Sequence, residues 1–417
     1  MLLVLATYIF IAWFVESPPT RGLALTLAIL GGGLGWVVAL AGQTEPWGNP
    51  PLEFYVPEGF SFLVVLGLPH IALGRAALLL GLVALFVALR CRDWRWALLA
   101  GLAWNLVGLM VSFYLAIIYM LLATWSLALW VRQRRLAVGL AGFGGLAAGL
   151  TLPLFAYNAW LFVDNAAFAQ WSRQNQLPSP HLAHYLLAYG VWIMLGWVGL
   201  RWAWRRAQRS QQAAHALLVS WVVAMPLLVY LPVNVQRRLA EGVIVPLSIL
   251  VAVGLRLGAH QAAVLGKGRH WRFRWARGLA LVLLLPSSAL LLLVSTLSLA
   301  TPNPPAFRPV AELEAMDWLN RQAAPGAVVL AAQTTGNYLP IRTNLRSFLG
   351  HGPETLYSDE KTALVARFYA GAFSPAERDA FYERYAIRYV MWAPLSVNWA
   401  PAPPGKPTSS PFMMPKG

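Results

Sequence analysis

Most of this 417-residue chain, up to about residue 300, consists of long apolar runs separated by short polar or basic segments. Apolar runs of roughly 20 residues are typical of helices that cross a lipid bilayer. We therefore predict ten membrane spans, and we expect the proline-, glycine- and aromatic-rich loop 42–71 to lie at the membrane interface. The predicted spans are 1–15, 22–41, 72–90, 96–111, 113–131, 136–157, 183–203, 213–232, 239–256 and 278–299.

After residue 300 the apolar runs give way to a more ordinary pattern. Prolines indicate a linker, and the following segment alternates helical and strand-like stretches, with Ser358 and Ser374 as expected helix N-caps. The predicted fold class is therefore an all-α polytopic membrane protein with about ten transmembrane helices and a small C-terminal α/β extracytoplasmic domain. The predicted parts are a membrane domain at 1–299, a linker at 300–308, the α/β domain at 309–395 and a disordered tail at 396–417.

The composition agrees with a membrane protein and excludes several other classes. Hydrophobic residues make up 58% of the chain and charged residues only 12%, about half the share of a typical soluble domain. The net charge of +16 would suit a nucleic-acid partner, but the basic residues are spread over short loops, so we expect none. One cysteine excludes an intrachain disulfide framework, and the scattered histidines give no zinc motif.

Basic side chains are concentrated in alternate loops, which by the positive-inside rule places those loops in the cytoplasm. They include Arg21, Arg90, Arg92, Arg95, Arg132, Arg134, Arg135, Arg201, Arg205, Arg206, Arg209, Arg256, Lys267, Arg269, Arg272, Arg274 and Arg277. The lone Cys91 lies in one of these loops. This orientation puts both termini and the C-terminal domain on the outer side.

The adjacent Arg237 and Arg238 are the main basic exception on the predicted outer side. They lie in the stretch "LPVNVQRRLAEGVIVPL" with Gln236 and Glu241. If this stretch is helical, Arg237 and Glu241 are four residues apart and can form an interfacial salt bridge. The other interpretation is that these residues bind a substrate phosphate, because the planar guanidinium group donates two parallel hydrogen bonds.

Three outward carboxylates are weak candidates for catalysis. Glu53 and Glu58 lie in the loop 42–71, close in sequence to the substrate-binding candidate His70, and Asp164 lies in a later outward segment. A carboxylate can act as a general base or bind a divalent metal ion. The alternative is that these residues are solvated loop positions, so the catalytic residues and any cofactor stay unassigned.

Two further outward segments suggest carbohydrate binding. In "FAQWSRQNQLPSPHLAHY", Trp171 stands close to Gln174 and Asn175, and aromatic rings beside amides are common in sugar sites. The same pattern also describes an interfacial aromatic belt. In the C-terminal domain, His351 lies in a glycine-rich segment with Glu354, where it either lines a cleft or supports a loop.

Taken together, these motifs resemble bacterial multi-pass glycosyltransferase-like proteins of the GT-C superfamily that carry a C-terminal extracytoplasmic domain. The resemblance covers about residues 50–395 and rests on "LPHIALG", "QNQLPSPHLAHYLLAYG", "LPVNVQRRLAEGVIVPL" and "TGNYLP…GHGPET". It implies a protein of the bacterial inner membrane that transfers a sugar from a polyprenyl-phosphate donor to an acceptor on the outer face. In that family the outward arginines would contact the lipid phosphate.

The sequence departs from this family at its beginning. GT-C enzymes carry an acidic motif in the first large outward loop, whereas the first loop here is the short "ESPPTR" with the single carboxylate Glu16. We therefore expect the chain to lack the family's leading helices and catalytic loop, as a truncated or inactive form would. Two other functions stay open: a transporter or flippase for a lipid-linked substrate, and a non-catalytic scaffold with an outside binding domain.

Overall fold

The computed structural model describes residues 1–209, 212–264, 270–301 and 307–392. The predicted tail 396–417 and much of the predicted linker 300–308 lie outside these residues. Contacts between Cα atoms divide the chain into two compact units. The first contains Met1–Leu161 and Leu177–Leu293, and the second contains Phe162–Gln176 with the described residues from Val294 onward.

The part of the chain before residue 301 is almost entirely helical. Its helices are α1 (Leu2–Phe14), α2 (Pro18–Leu30), α3 (Gly35–Leu40), α4 (Ser61–Gly67), α5 (Pro69–Cys91), α6 (Trp94–Met110), α7 (Tyr114–Gln133), α8 (Val138–Asp164), α9 (Ala166–Gln174), α10 (Leu182–Arg206), α11 (Ala214–Leu228), α12 (Ile244–Val264), α13 (His270–Leu284) and α14 (Pro286–Ala300). Of these, α9 belongs to the second unit.

Fewer helices are long enough to cross a bilayer than the ten predicted spans. Among the described residues, five helices are long and apolar enough, or six if the pair bent by 42° at Leu285 is one span. The predicted span 22–41 is interrupted at Gly31–Leu34, and its longer piece, α2, has 13 residues. At 1.5 Å per residue such a helix is about 20 Å long, short of the roughly 30 Å hydrocarbon layer. The membrane-protein class is supported, and the count of ten stays a prediction.

The first unit is held together by large buried aromatic side chains and by close helix contacts at glycine. Trp104, Trp125, Trp192 and Trp221 are all at most 2% exposed. Where α10 crosses α12, a Cβ atom on Gly199 would lie 1.9 Å from the backbone oxygen of Leu250. Only glycine allows these two helices to approach so closely, as is common in membrane helix packing. This contact fixes α12 and the segment that precedes it.

The second unit contains a small parallel sheet flanked by helices. After α9, its elements are α15 (Val310–Gln322), β1 (Val328–Leu330), α16 (Gln333–Arg342), β2 (Arg346–Ser347), α17 (Ser358–Tyr369), α18 (Pro375–Arg384) and β3 (Ile387–Val390). The strand order is β2–β1–β3, and both pairings are parallel. Adjacent residues of β1 face opposite sides, so that Val329 packs in one apolar cluster and Leu330 in another.

Of the two N-caps predicted in this unit, Ser374 is present and Ser358 is not. Ser374 caps α18 in a reciprocal capping box with Glu377, which confirms the prediction. Ser358 is the first residue of α17 rather than its cap, and the cap position is taken by Tyr357 with φ +59°. No cap hydrogen bond forms from the Tyr357 side chain, so the prediction for Ser358 was wrong.

Candidate functional site

Arg237 and Arg238 lie in a short 3₁₀ turn, Gln236–Ala240, directly before α12. A 3₁₀ helix has three residues per turn, so residues four apart do not face each other. The chain then turns at Gly242, whose φ of +68° favours glycine. For this reason Arg237 and Glu241 do not pair, and the interpretation of this stretch as a helix with an internal salt bridge was wrong.

Glu241 instead forms a fully buried ion pair with Arg75 of α5. The Arg75 Nε and Nη2 atoms donate to the two Glu241 carboxylate oxygens at 2.6 and 2.8 Å, and both side chains are 0% exposed. The same guanidinium donates to the backbone oxygens of Pro57 and Glu58 at 3.0 and 2.8 Å and to Ser61 Oγ at 3.2 Å. Arg75 therefore joins the segment that carries Glu58 to the segment that carries the arginine pair.

Glu58 and Arg238 are brought together by this arrangement. The Arg238 Nε atom lies 3.3 Å from Glu58 Oε1, and the Gly242 N–H donates to the Glu58 backbone oxygen at 3.0 Å. Glu58 is only 2% exposed, whereas the Arg238 side chain is 37% exposed. The guanidinium also lies over the ring of Phe113, 5.8 Å from its centroid. The pair thus has one buried carboxylate and one partly accessible cation.

Arg237 supplies a positive charge without a carboxylate partner among the described residues. Its guanidinium lies over the ring of Tyr55 at 5.1 Å, a cation–π contact that leaves the N–H edges available. The two neighbouring arginines each have a carboxylate partner, so the cluster has one more guanidinium than carboxylates. Such a half-buried, unmatched arginine is suited to bind an anion.

The protonation of Glu58 is shifted by its environment. Burial raises the pKa of the Glu58 carboxyl from its ordinary value near 4.5 to about 7, and the nearby Arg238 charge opposes this increase. A carboxyl whose pKa lies near neutral pH can accept a proton during a reaction. Of the three predicted carboxylates, Glu58 is the one that lies beside Arg238, and its catalytic role stays a prediction.

The raised pKa predicts how stability depends on pH. Because the folded-state pKa exceeds the unfolded value, ionisation of Glu58 costs folding free energy, and this loss develops between about pH 4.5 and 7. We expect Glu58→Gln to be about as stable as the unmodified protein at pH 4 and about 3 kcal/mol more stable at pH 8. Thermal unfolding of both proteins in detergent across this range measures the difference. If the difference in stability between the two proteins stayed constant with pH, the raised pKa of Glu58 would be contradicted.

Glu53 lies in a separate buried environment. Its Oε1 accepts hydrogen bonds from the Gly35 N–H at 2.6 Å and from Ser287 Oγ at 3.1 Å, and burial raises its pKa. A Cβ on Gly33 or Gly35 would lie within 2.8 Å of this carboxylate, so the glycines allow it to reach the helix break at Gly31–Leu34. Glu53 ties these segments together, and its proposed catalytic role stays a prediction.

The remaining predicted residues of the first unit are not part of the cluster. Gln236 accepts from the Ser179 N–H at 3.0 Å and donates to the Leu231 backbone oxygen at 2.8 Å, so its amide holds loops together. His70, in the first turn of α5, is exposed. No three His, Cys, Asp or Glu side chains converge as a metal site in the described parts of the chain, and a divalent metal stays an open prediction.

Of the predicted residues of the second unit, Gln174 and His351 lie at one loop. Gln174, at the end of α9, donates to the backbone oxygens of Pro353 and Thr355, and His351 contacts Glu354 in the same loop. Trp171 is partly buried against Phe162, with ring centroids 5.8 Å apart. Asn175 is 9% exposed, and Asp164 is exposed at the end of α8.

Sequence reasoning missed two residues that organise the arginine cluster. Arg75 was not singled out from the sequence, although a charge inside an apolar run is a signal of a buried partner or a functional site. Tyr55 was not singled out, because nothing in the linear pattern brings it near Arg237. Both contacts depend on tertiary packing.

No known family model and no curated protein matches this chain. Among solved structures, it is similar to the oligosaccharyltransferase of Archaeoglobus fulgidus in three states. The TM-scores are 0.56 for the apo form, 0.54 for the enzyme with an inhibitory peptide and a dolichol-phosphate, and 0.52 for the enzyme tethered to an acceptor peptide with the NVT sequon. Sequence identity is 12–13%, and each match covers 94% of this chain.

The likeness establishes the fold and no more than the fold. The chain spans only 56–57% of the length of the archaeal enzyme. At this level the similarity agrees with the fold that the sequence motifs led us to expect. The chain is thus similar in fold to the archaeal oligosaccharyltransferase over 94% of its length.

Proposed function

We propose that this protein is a membrane glycosyltransferase that uses a polyprenyl-phosphate-linked sugar as donor and works at the outer face of a bacterial inner membrane. In this proposal Arg237 and Arg238 bind the donor phosphate, and Glu58 is the carboxylate that accepts the acceptor's proton. The observation that carries the proposal is the unmatched guanidinium of Arg237, which lies over Tyr55 beside a partly accessible second arginine.

The composition of the cluster supports an anionic, membrane-embedded ligand. Charged groups within a membrane protein are costly and tend to mark a site when they cluster. The excess positive charge suits a phosphate, and Phe113 and Tyr55 supply apolar surface beside it. The archaeal relative in fold has been solved with a dolichol-phosphate, which is a ligand of the same chemical class.

The direct test is sugar transfer by the purified protein. A polyprenyl-phosphate donor with a radiolabelled sugar is incubated with the protein in lipid nanodiscs and a membrane extract as the source of acceptor. We expect label to move from the lipid to the acceptor fraction, and free polyprenyl phosphate to inhibit this transfer. Absence of transfer together with normal binding of the donor would favour a binding or scaffold role.

The predicted orientation can be tested with thiols. We expect a cysteine introduced at Asn234, with Cys91 replaced by serine, to react with a membrane-impermeant maleimide in intact spheroplasts. The native Cys91 is an internal control, because it is exposed and predicted to face the cytoplasm, so it should react only after lysis. The opposite labelling pattern would reverse the orientation and remove the outer-face site.

A further inference from the structure

In the second unit, hydrogen bonds within the loop 350–357 hold the side chains of His351 and Glu354 next to each other. Thr355 closes it, since its Oγ1 donates to the His351 backbone oxygen at 2.8 Å and accepts from the Gly350 N–H at 3.2 Å. Within this ring of bonds, the His351 Nδ1 atom contacts a carboxylate oxygen of Glu354. The contact leaves the other ring nitrogen and the second carboxylate oxygen for a ligand.

A single amide from outside the loop holds it in place. The Gln174 Nε2 group donates to the backbone oxygens of Pro353 and Thr355, both at 2.7 Å, and its Oε1 accepts from the Tyr357 N–H at 3.0 Å. Both amide protons and one oxygen lone pair are therefore engaged with the loop. Gln174 was predicted to contact substrate, but its hydrogen-bonding groups are committed to the protein.

The side chains of His351 and Glu354 are accessible to solvent, whereas Gln174, which holds the loop, is partly buried. The His351 and Glu354 side chains are 61% and 55% exposed. Tyr357, the last residue of the loop, is 54% exposed and has a φ of +59°, an uncommon conformation for a residue other than glycine. Backbone strain of this kind is found preferentially at functional sites.

The position of the loop 350–357 relative to the parallel sheet also favours ligand binding. The loop follows the carboxyl end of β2, and a Cβ on Gly352 would lie 3.6 Å from Nε2 of Gln333, which follows the carboxyl end of the neighbouring β1. In open parallel sheets, ligands bind outside the carboxyl ends of the strands. The loop therefore lies at the edge where such a sheet normally carries its site.

We propose that the loop 350–357 is a saccharide-binding site, in which His351 and Glu354 hydrogen-bond sugar hydroxyls and Gln174 is a positioning residue. An imidazole nitrogen and a carboxylate oxygen on one loop can together donate to and accept from adjacent hydroxyl groups. The exposed ring of Tyr357 supplies an apolar surface beside them. The inference rests on the proposed function, since the sugar belongs either to the lipid-linked donor or to the acceptor.

The test measures sugar binding without transfer, so that its outcome is independent of the transferase assay. Saturation-transfer NMR is recorded on the full-length protein with methyl glycosides of glucose, galactose, mannose, rhamnose and N-acetylglucosamine. We expect at least one glycoside to bind, and His351→Ala and Glu354→Ala each to weaken binding about tenfold or more. Competition by the polyprenyl-phosphate-linked sugar identifies the donor as the source, and simultaneous binding identifies the acceptor.

The positioning role of Gln174 has a matched control in the same segment. Among the described residues, the Gln176 side chain donates only to the backbone oxygens of Ser172 and Arg173, four and three residues back, and it is exposed. We expect Gln174→Ala to weaken glycoside binding as much as His351→Ala does and to speed amide hydrogen exchange in 350–357. Gln176→Ala should change neither. Equal effects of the two glutamine variants, or no glycoside binding by the unmodified protein, would overturn the proposal.

Discussion

Replacing Arg237 by alanine is expected to reduce sugar transfer by a factor of about 100 to 1,000, which corresponds to roughly 3–4 kcal/mol of lost transition-state stabilisation. The reason is that this guanidinium has no carboxylate partner among the described residues, so a bound phosphate would be its main ionic contact. The initial rate of transfer from a radiolabelled polyprenyl-phosphate sugar measures the effect.

Two further variants separate charge from geometry. Arg237→Lys keeps the charge but removes the forked pair of donors, so its rate should lie between those of the alanine variant and the unmodified protein. Arg205→Ala removes an exposed positive charge from the last turn of α10 and should leave the rate unchanged. Normal transfer by both Arg237→Ala and Arg238→Ala would rule out phosphate binding by this pair.

The second large expected effect is a loss of folding stability when the buried ion pair between Arg75 and Glu241 is broken. Arg75→Met or Glu241→Leu alone should lower the free energy of unfolding by about 3–5 kcal/mol, because each leaves a buried charge without its partner. The double variant should regain most of this loss, since buried ion pairs are often replaced by apolar side chains at little cost. Thermal unfolding in detergent gives the coupling energy through a double-mutant cycle.

The exposed pair Asp317–Arg342 is a matched control for this cycle. Its two hydrogen bonds are both 2.8 Å long, so the geometry is as good as that of the buried pair. Both side chains are more than a third exposed, and ion pairs of this kind contribute little to stability. Similar coupling energies for the two pairs would show that burial is not what makes Arg75 and Glu241 important.

Local sequence patterns predicted the helices well but not their continuity. The apolar runs at 72–90 and 183–203 correspond to α5 and α10, because a run of apolar side chains has few other stable conformations in a bilayer. The run 22–41 is equally apolar, yet it is interrupted at its glycines. That break accommodates the Glu53 carboxylate, a contact made by a residue 18 positions further along the chain.

In the candidate site, too, the sequence singled out residues but not the contacts between them. The charge distribution singled out Arg237 and Arg238, and the loop 42–71 drew attention to Glu58, although the sequence placed them about 180 residues apart without a link. The link is Arg75, which the structure brings into contact with both segments. An arginine in an apolar run can face a partner on any neighbouring helix, so only packing identifies Glu241 as that partner.

The sequence by itself determined the class of this protein, since its hydropathy and its basic loops follow directly from what a bilayer excludes and retains. It also singled out the two outward arginines as an exception. The tertiary structure decided the pairings: Glu241 with Arg75, Glu58 with Arg238, and Gln174 with the loop that presents His351. These contacts join residues that are 166, 180 and 181 positions apart. At such separations, hydrogen-bond partners are set by how helices pack, which no local pattern encodes.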